Sequence, residues 1–214
     1  HHIFHTFHTG VLMLAIPLQT KESLTRSLQA VAELSPEHLS AYLLKIEEGT
    51  PFSRRPILPD DDLAADLYLL ASEFLSCKGY EHYEVSNFAR KGFRAKHNSA
   101  YWQGREYYAF GPGSYGYLCG ERFFWEADLS RFLSGTPRRI IEERLSAEDI
   151  RREKRILSLR TSDGVKVDGL TYEQAAYLNG LIPSGLVKAS DGRFSLTPSG
   201  FLVSNEILFF KSER

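Results

Sequence analysis

The chain has 214 residues, 26 Lys and Arg against 27 Asp and Glu, and 43% hydrophobic residues. That mix suits a soluble globular protein with a real core, and a net charge of -1 excludes a broadly basic nucleic-acid coat and an acidic disordered tail. Two cysteines, Cys77 and Cys119, exclude a disulfide framework and any all-cysteine zinc or iron–sulfur site within the chain, and they fit a reducing, cytoplasmic compartment.

No apolar run approaches the roughly 20 residues that span a bilayer. Residues 1–10, HHIFHTFHTG, hold His1, His2, His5 and His8 but no Lys or Arg. They lack a signal-peptide layout and are set aside as a disordered or foreign leader. VLMLAI (residues 11–16) is a continuous apolar run stopped by Pro17, the pattern of a strand buried on both faces. Thr20 then offers an N-cap, with Leu24, Leu28 and Val31 on one helical face. Residues 38–46 read as the next strand, which makes a βαβ unit.

Gly49-Thr50-Pro51 breaks the pattern, and Asp60, Asp61 and Asp62 crowd the start of a helix. Leu63, Leu67, Leu70, Ala71, Phe74 and Leu75 form its apolar face, and Gly79 sits at its C-terminal end. Residues 81–88 predict a third strand. Residues 90–125, rich in glycine and aromatics, predict loops with short strands, where sites concentrate.

A second module is expected over 138–214. Ser146 and Asp149 make a capping box for a helix to about Arg160, and a short helix follows over 171–178. Asp191-Gly192 between two β-like runs signals a hairpin, and a helix over 198–211 closes the chain. Helices followed by a two-stranded wing suggest a winged-helix-like module. DNA reading would need a basic recognition helix, but TYEQAAYLNGLI holds no Lys or Arg, and Lys188 and Arg193 on the wing are too few. A packing module without nucleic acid is the preferred reading.

The densest cluster of unusual residues runs through GYEHYEVSNFAR (79–90), KHNSAYW (96–102) and YYAFGPGSYGYL (107–118). A histidine followed by Tyr101 and Trp102 offers one metal-competent nitrogen amid flat apolar surface, as a planar macrocycle requires. The alternative is a hydrogen-bonded loop anchor. Glu84 and Asn87 either face a barrel interior or satisfy buried backbone.

The strings YEVSNFAR, HNSAYW and GPGSYGY, in that order, resemble the radical S-adenosylmethionine (SAM) family related to oxygen-independent coproporphyrinogen III oxidase. The HNxxYW pattern of His97, Asn98, Tyr101 and Trp102 is similar to that of its haem-chaperone branch. IPLQT resembles the family's GLPGQT turn, EEGTPF its EPGTPF, and ERLSAED and FSLTPSGFLVSNEIL its C-terminal domain. The resemblance covers about residues 11–210.

It implies an α/β fold, α+β overall: the C-terminal part of a partial (β/α) barrel over 11–137, then a small, mostly helical, winged-helix-like domain over 138–214. It also implies haem binding and delivery to an acceptor protein, alongside a 4Fe–4S cluster and SAM. The alternative activity is coproporphyrinogen III oxidation in porphyrin biosynthesis.

Carried over residue by residue, His97 is the candidate haem-iron ligand, with Asn98, Tyr101 and Trp102 in the haem site. Cys119 is the weaker ligand candidate. Gly111, Gly113 and Tyr115 fall at the edge of SAM. The family's CxxxCxxC loop has no counterpart here, so the chain reads as a C-terminal fragment unable to bind the cluster or to catalyse alone. Val11 stands at a usual Asp, Ala15 and Leu18 at both glycines of GLPGQT, and Tyr115 at a usual His. A bare strand edge is expected to favour self-association.

Overall fold

The structure, a computed structural model, describes residues 7–54 and 58–208, without the side chains of Pro51 and Arg54. The chain forms two compact units, one of residues 1–95 with 160–214 and one of residues 96–159.

In the first unit, strand β1 (Thr9–Leu14) leads through helix α1 (Lys21–Glu33) to the parallel strand β2 (His38–Leu43), in register from Thr9 opposite His38 to Leu14 opposite Leu43. This is the expected βαβ unit. Thr20 caps α1 in a reciprocal capping box with Ser23, and Leu24 and Leu28 are fully buried. Helix α2 (Asp61–Cys77) starts at Asp60, whose carboxylate accepts from the Leu63 N–H at 2.8 Å. It buries Leu67, Ala71 and Leu75 in a row, and Gly79 ends the turn with φ +84°.

Three expectations are corrected. The strand set at residues 11–16 begins at Thr9 inside the presumed leader, and the His8 carbonyl accepts from the Glu37 N–H at 3.1 Å. His1, His2 and His5 lie outside the described residues. β1 is not buried on both faces: Val11 is 63% exposed and Met13 41%, while Leu14 is fully buried. The strand therefore has one covered face.

The third strand is two. β3 (Glu81–Glu84) and β4 (Asn87–Ala89) fold into an antiparallel hairpin because the Glu84 carboxylate accepts from the Ser86 N–H at 3.0 Å and closes the turn. The sheet order is β1-β2-β4-β3, with β4 antiparallel to β2.

The second unit opens with helix α3 (Lys96–Trp102), in a segment expected to be loop and short strand. It continues with β5 (Tyr115–Leu118), β6 (Glu121–Trp125), the short helix α4 (Leu129–Leu133), β7 (Arg139–Arg144) and α5 (Ala147–Leu159). The antiparallel sheet runs β5-β6-β7. The division drawn at 137/138 from sequence falls just before β7, which pairs with β6 from Glu121 opposite Arg144 to Trp125 opposite Arg139. That boundary therefore cuts through a sheet. Ser146 and Asp149 form the expected capping box at the start of α5.

The remainder of the first unit holds β8 (Val165–Lys166), α6 (Tyr172–Gly180), β9 (Val187–Ser190), β10 (Arg193–Leu196), α7 (Pro198–Leu202) and α8 (Ser204–Leu208). Its sheet order is β8-β10-β9. Asp191 and Gly192 turn the hairpin with φ +51° and +68°, as the Asp-Gly pair predicts. The terminal helix is broken at Val203 into α7 and α8, and positions 209–211 of the expected helix lie outside the described residues.

Candidate functional site

Helix α3 carries the HNxxYW string on two adjacent stripes. His97 and Tyr101 are four residues apart and share a face; Asn98 and Trp102 share the next one. The His97 and Tyr101 rings meet edge to face at 4.7 Å and 89°. Tyr101 in turn meets Tyr107 edge to face at 4.7 Å, and Tyr107 faces Tyr117 of β5 at 6.4 Å. Tyr107 and Tyr117 exchange backbone hydrogen bonds of 2.9 and 3.0 Å, which fixes this row of rings to the sheet. Burial, and then the adjacent Tyr101, push the Tyr107 phenol up.

None of the α3 residues is buried, and His97 is exposed. Its imidazole stands at the open end of an aromatic row. Asn98 and Trp102 are half-buried. The helix ends on Gly104, with φ +61°. The Arg105 N–H reaches back to the Ala100 carbonyl at 3.0 Å and the Gly104 N–H to Tyr101 at 2.9 Å, a glycine-terminated helix end. A side chain at Gly104 would press on Lys154 of α5, so the turn sits close against that helix.

The Gly-Pro-Gly segment makes a turn into β5. Gly111 and Gly113 adopt φ of +93° and +72°, and the Gly113 N–H donates to the Trp125 carbonyl at 2.9 Å. Tyr115 is 57% exposed and pairs across the sheet with Phe124, their rings 5.3 Å apart. Tyr115 and Tyr117 alternate onto one sheet face, so the tyrosine row and the glycine turn share β5. Cys119 lies in the β5–β6 turn with φ +51°, its N–H donating to Glu106 at 2.6 Å.

The first unit contains a buried polar cluster that the sequence reading marked only at Glu84 and Asn87. Ser40 donates to the Asn87 carbonyl oxygen, and the Asn87 amide donates to Glu84. His38 bonds the Tyr83 hydroxyl at 2.9 Å and the Thr9 hydroxyl at 3.2 Å. Thr9, Val11 and Met13 pair with His38, Ser40 and Tyr42, and Asn87 pairs with Ser40, so one sheet face carries all of these side chains. Burial holds the His38 imidazole below its ordinary range and pushes the Tyr83 phenol up to about 12. Glu84 closes the β3–β4 turn and holds Asn87, which makes it a structural carboxylate of this face. Ser40 and His38 went unread because a serine and a histidine in an apolar strand carry no signal of their own.

At the C-terminal end of β1, Ala15 and Leu18 adopt φ of +55° and +62°. These are the positions of the two glycines in the turn this segment resembles. The Gln19 side chain accepts from the Ala15 N–H at 2.7 Å and donates to the Met13 carbonyl at 3.3 Å, holding the turn shut. The left-handed backbone persists although both glycines are replaced, at a cost of about 1 kcal/mol per residue. On the wing, Arg193 donates to the Asp163 and Gly164 carbonyls and is occupied within the fold.

No protein-family model matches the chain. The haem chaperone HemW of Lactococcus lactis is 34% identical over 92% of this chain and 56% of its own length, and that of Bacillus subtilis is 32% identical over the same shares. The chain is similar over nearly its whole length to HemW-type members of the radical SAM family. It spans about half the length of the curated relatives it matches. A solved radical SAM structure, coproporphyrinogen III oxidase (HemN) from Escherichia coli, superposes with a TM-score of 0.72 over 95% of this chain and 54% of that one, at 20% identity. That likeness establishes the fold: mixed α/β, matching part of a radical SAM domain.

The family's iron–sulfur cluster does not fit the residues present. Cys77 ends α2 and Cys119 occupies a turn in the other unit, both exposed, and the described residues hold no group of three or more metal-competent side chains. No described helix is long and apolar enough to cross a membrane.

Proposed function

We propose that this chain is the haem-handling part of a HemW-type protein, binding haem at α3 for transfer to an acceptor protein. The observation that carries the reading is the exposed His97 imidazole at the end of the Tyr101–Tyr107–Tyr117 row. Haem needs a nitrogen ligand for iron and flat apolar surface for its ring. His97 is the ligand, Tyr101 and Trp102 shape the wall beside it, and Asn98 borders the same helix face. Exposure suits a carrier, because cargo that must be handed on cannot be enclosed. The iron–porphyrin is cargo here, and no chemical step is assigned to it.

The Gly111-Pro112-Gly113 turn and Tyr115 are proposed as the edge of a SAM site. Gly111 supports this, since a side chain built there would meet open space. No step is routed through SAM or a 4Fe–4S cluster, for which this chain lacks the thiolates. The missing thiolate set also gives coproporphyrinogen oxidation no footing on these residues. A cytoplasmic setting and self-association along the exposed β1 face belong to the same proposal. Val11 and Met13 support the latter. Size-exclusion chromatography tests it: the wild type should elute larger than a Val11→Thr/Met13→Thr variant.

Haem titration followed at the Soret band tests the reading in wild type, His97→Ala and Cys119→Ala. Loss in His97→Ala alone is expected. Loss only in Cys119→Ala would move the ligand to the thiolate, and unchanged binding in both would remove α3 from the haem site.

A further inference from the structure

Residues 96–159 contain eleven Lys and Arg side chains. Eight of them stand in ion pairs: Arg122, Arg131, Arg138, Arg139, Arg144, Arg151, Arg152 and Arg155. The three without a carboxylate partner are Lys96, Arg105 and Lys154, and all three border α3. Lys96 is its first residue. Arg105 is held at its end by the hydrogen bond from its own N–H to Ala100. Lys154 lies against the same end, its Cγ 3.2 Å and its Cε 3.4 Å from where a Cβ on Gly104 would be.

The pairing elsewhere is dense. Arg122 is shared by Glu143 and Glu153, and Glu121 by Arg139 and Arg144. In a unit that neutralises its cations so thoroughly, the end of α3 keeps two uncompensated: Arg105, the residue after Gly104, and Lys154, which packs against Gly104. His97 stands near the opposite end of the same short helix, on the stripe that leads through Tyr101 toward Gly104.

We propose that Arg105 and Lys154 bind the propionate carboxylates of the tetrapyrrole whose iron meets His97. The ligand is amphipathic: a flat apolar ring with two anionic groups on one edge. The α3 surface offers the complementary order, imidazole first, aromatic edges next and two cations last. Arg105 supplies a planar fork for one carboxylate, and Lys154 supplies a mobile point charge for the other. The absence of a side chain at Gly104 lets Lys154 lie against the end of α3. This inference rests on the haem reading above, and it adds what selects the ligand by charge and sets its direction on the helix.

The test compares haem, haem dimethyl ester and iron-free protoporphyrin on the full chain. The variants are Arg105→Ala/Lys154→Ala, His97→Ala and, as a paired-charge control, Arg151→Ala. Wild type should bind haem about tenfold more tightly than its dimethyl ester, the size expected of two exposed charge contacts. That preference should disappear in the double variant, persist in Arg151→Ala and weaken with added salt. The Soret position should remain that of wild type in the double variant, because iron ligation is intact.

Equal affinity of wild type for haem and its ester, or an undiminished preference in the double variant, would overturn the assignment. Iron-free protoporphyrin separates the two ideas, since its binding does not depend on the imidazole. If His97→Ala leaves haem binding unchanged, the ligand reading fails. If the double variant also loses its hold on protoporphyrin, the carboxylate assignment stands without it. Circular dichroism of the double variant should match wild type, both residues being exposed.

Discussion

The two units differ in how many of their aromatic and polar side chains they enclose, although Tyr172 of the first is 85% exposed. In the first, Tyr68, Tyr80, Tyr83 and Phe88 are buried, and the polar side chains of Ser40, Glu84 and Asn87 are enclosed and bonded to each other. In the second, Phe123 is the one large aromatic fully inside, while Tyr108 is 70% exposed, Phe110 85% and Tyr115 57%. Burial of aromatic surface stabilises a fold; aromatic surface left in solvent costs free energy unless a ligand or partner covers it. The first unit thus holds most of the buried aromatic core, and the exposed aromatic surface of the second, where HNxxYW lies, supports the recognition role proposed for it.

The largest effect expected from this division is in the core. Leu67→Ala, in the fully buried row of α2, should cost about 2–5 kcal/mol by urea denaturation. Phe110→Ser should stay within about 0.5 kcal/mol. Equal losses would erase the distinction between the units.

A second break point is pH. His82 is stacked on Phe88 at 4.0 Å and edged by Phe201, and burial holds its imidazole down to about 4. Unfolding lets it return to roughly 6.5. The folded state thus favours the neutral ring. Stability from this residue is complete above about 6.5, falls as pH drops toward 4 and levels below that, a loss of about 3 kcal/mol. Unfolding midpoints between pH 7 and 4 should show a shallower decline in His82→Gln than in wild type. Parallel curves would mean that the ring is already solvated.

A smaller effect belongs to the β1 turn. Leu18 is 87% exposed with φ +62°, so Leu18→Gly should raise stability by up to about 0.5 kcal/mol, the relief of a left-handed backbone less the entropy of a glycine. A loss of stability there would show that the leucine makes a contact worth more than the strain.

Much of the frame was legible because it rests on local rules. Thr20, Asp60, Ser146 and Asp191-Gly192 each announce a cap or turn whose geometry needs that residue. What failed was what depends on distant partners. The alternation within VLMLAI was hidden because Val11 and Met13 are apolar yet exposed, so hydrophobicity gave no contrast between the faces. The β3–β4 hairpin was missed because its turn, Val85-Ser86, has neither glycine nor proline and is closed by the Glu84 side chain instead. Helix α3 was overlooked because HNSAYW has weak helix formers and no buried face. The string His97, Asn98, Tyr101 and Trp102 was visible, but its geometry was not: the spacing became two adjacent stripes only once the segment was helical. Tyr107 and Tyr117 lay inside the YYAFGPGSYGYL string but had no role of their own there, and Arg105 and Lys154 carried no signal, since the meaning of all four comes from β5 and α5 lying beside α3.

The central claim is that His97 meets haem iron at the end of the tyrosine row. Ferric haem titrated into wild type and His97→Ala, read by Soret absorbance and by electron paramagnetic resonance, tests it most directly. Wild type should give a histidine-ligated spectrum, and His97→Ala should lose that signature and bind at least tenfold more weakly, with free imidazole restoring the spectrum. A His97→Ala protein that keeps both the wild-type spectrum and the wild-type affinity would contradict the account.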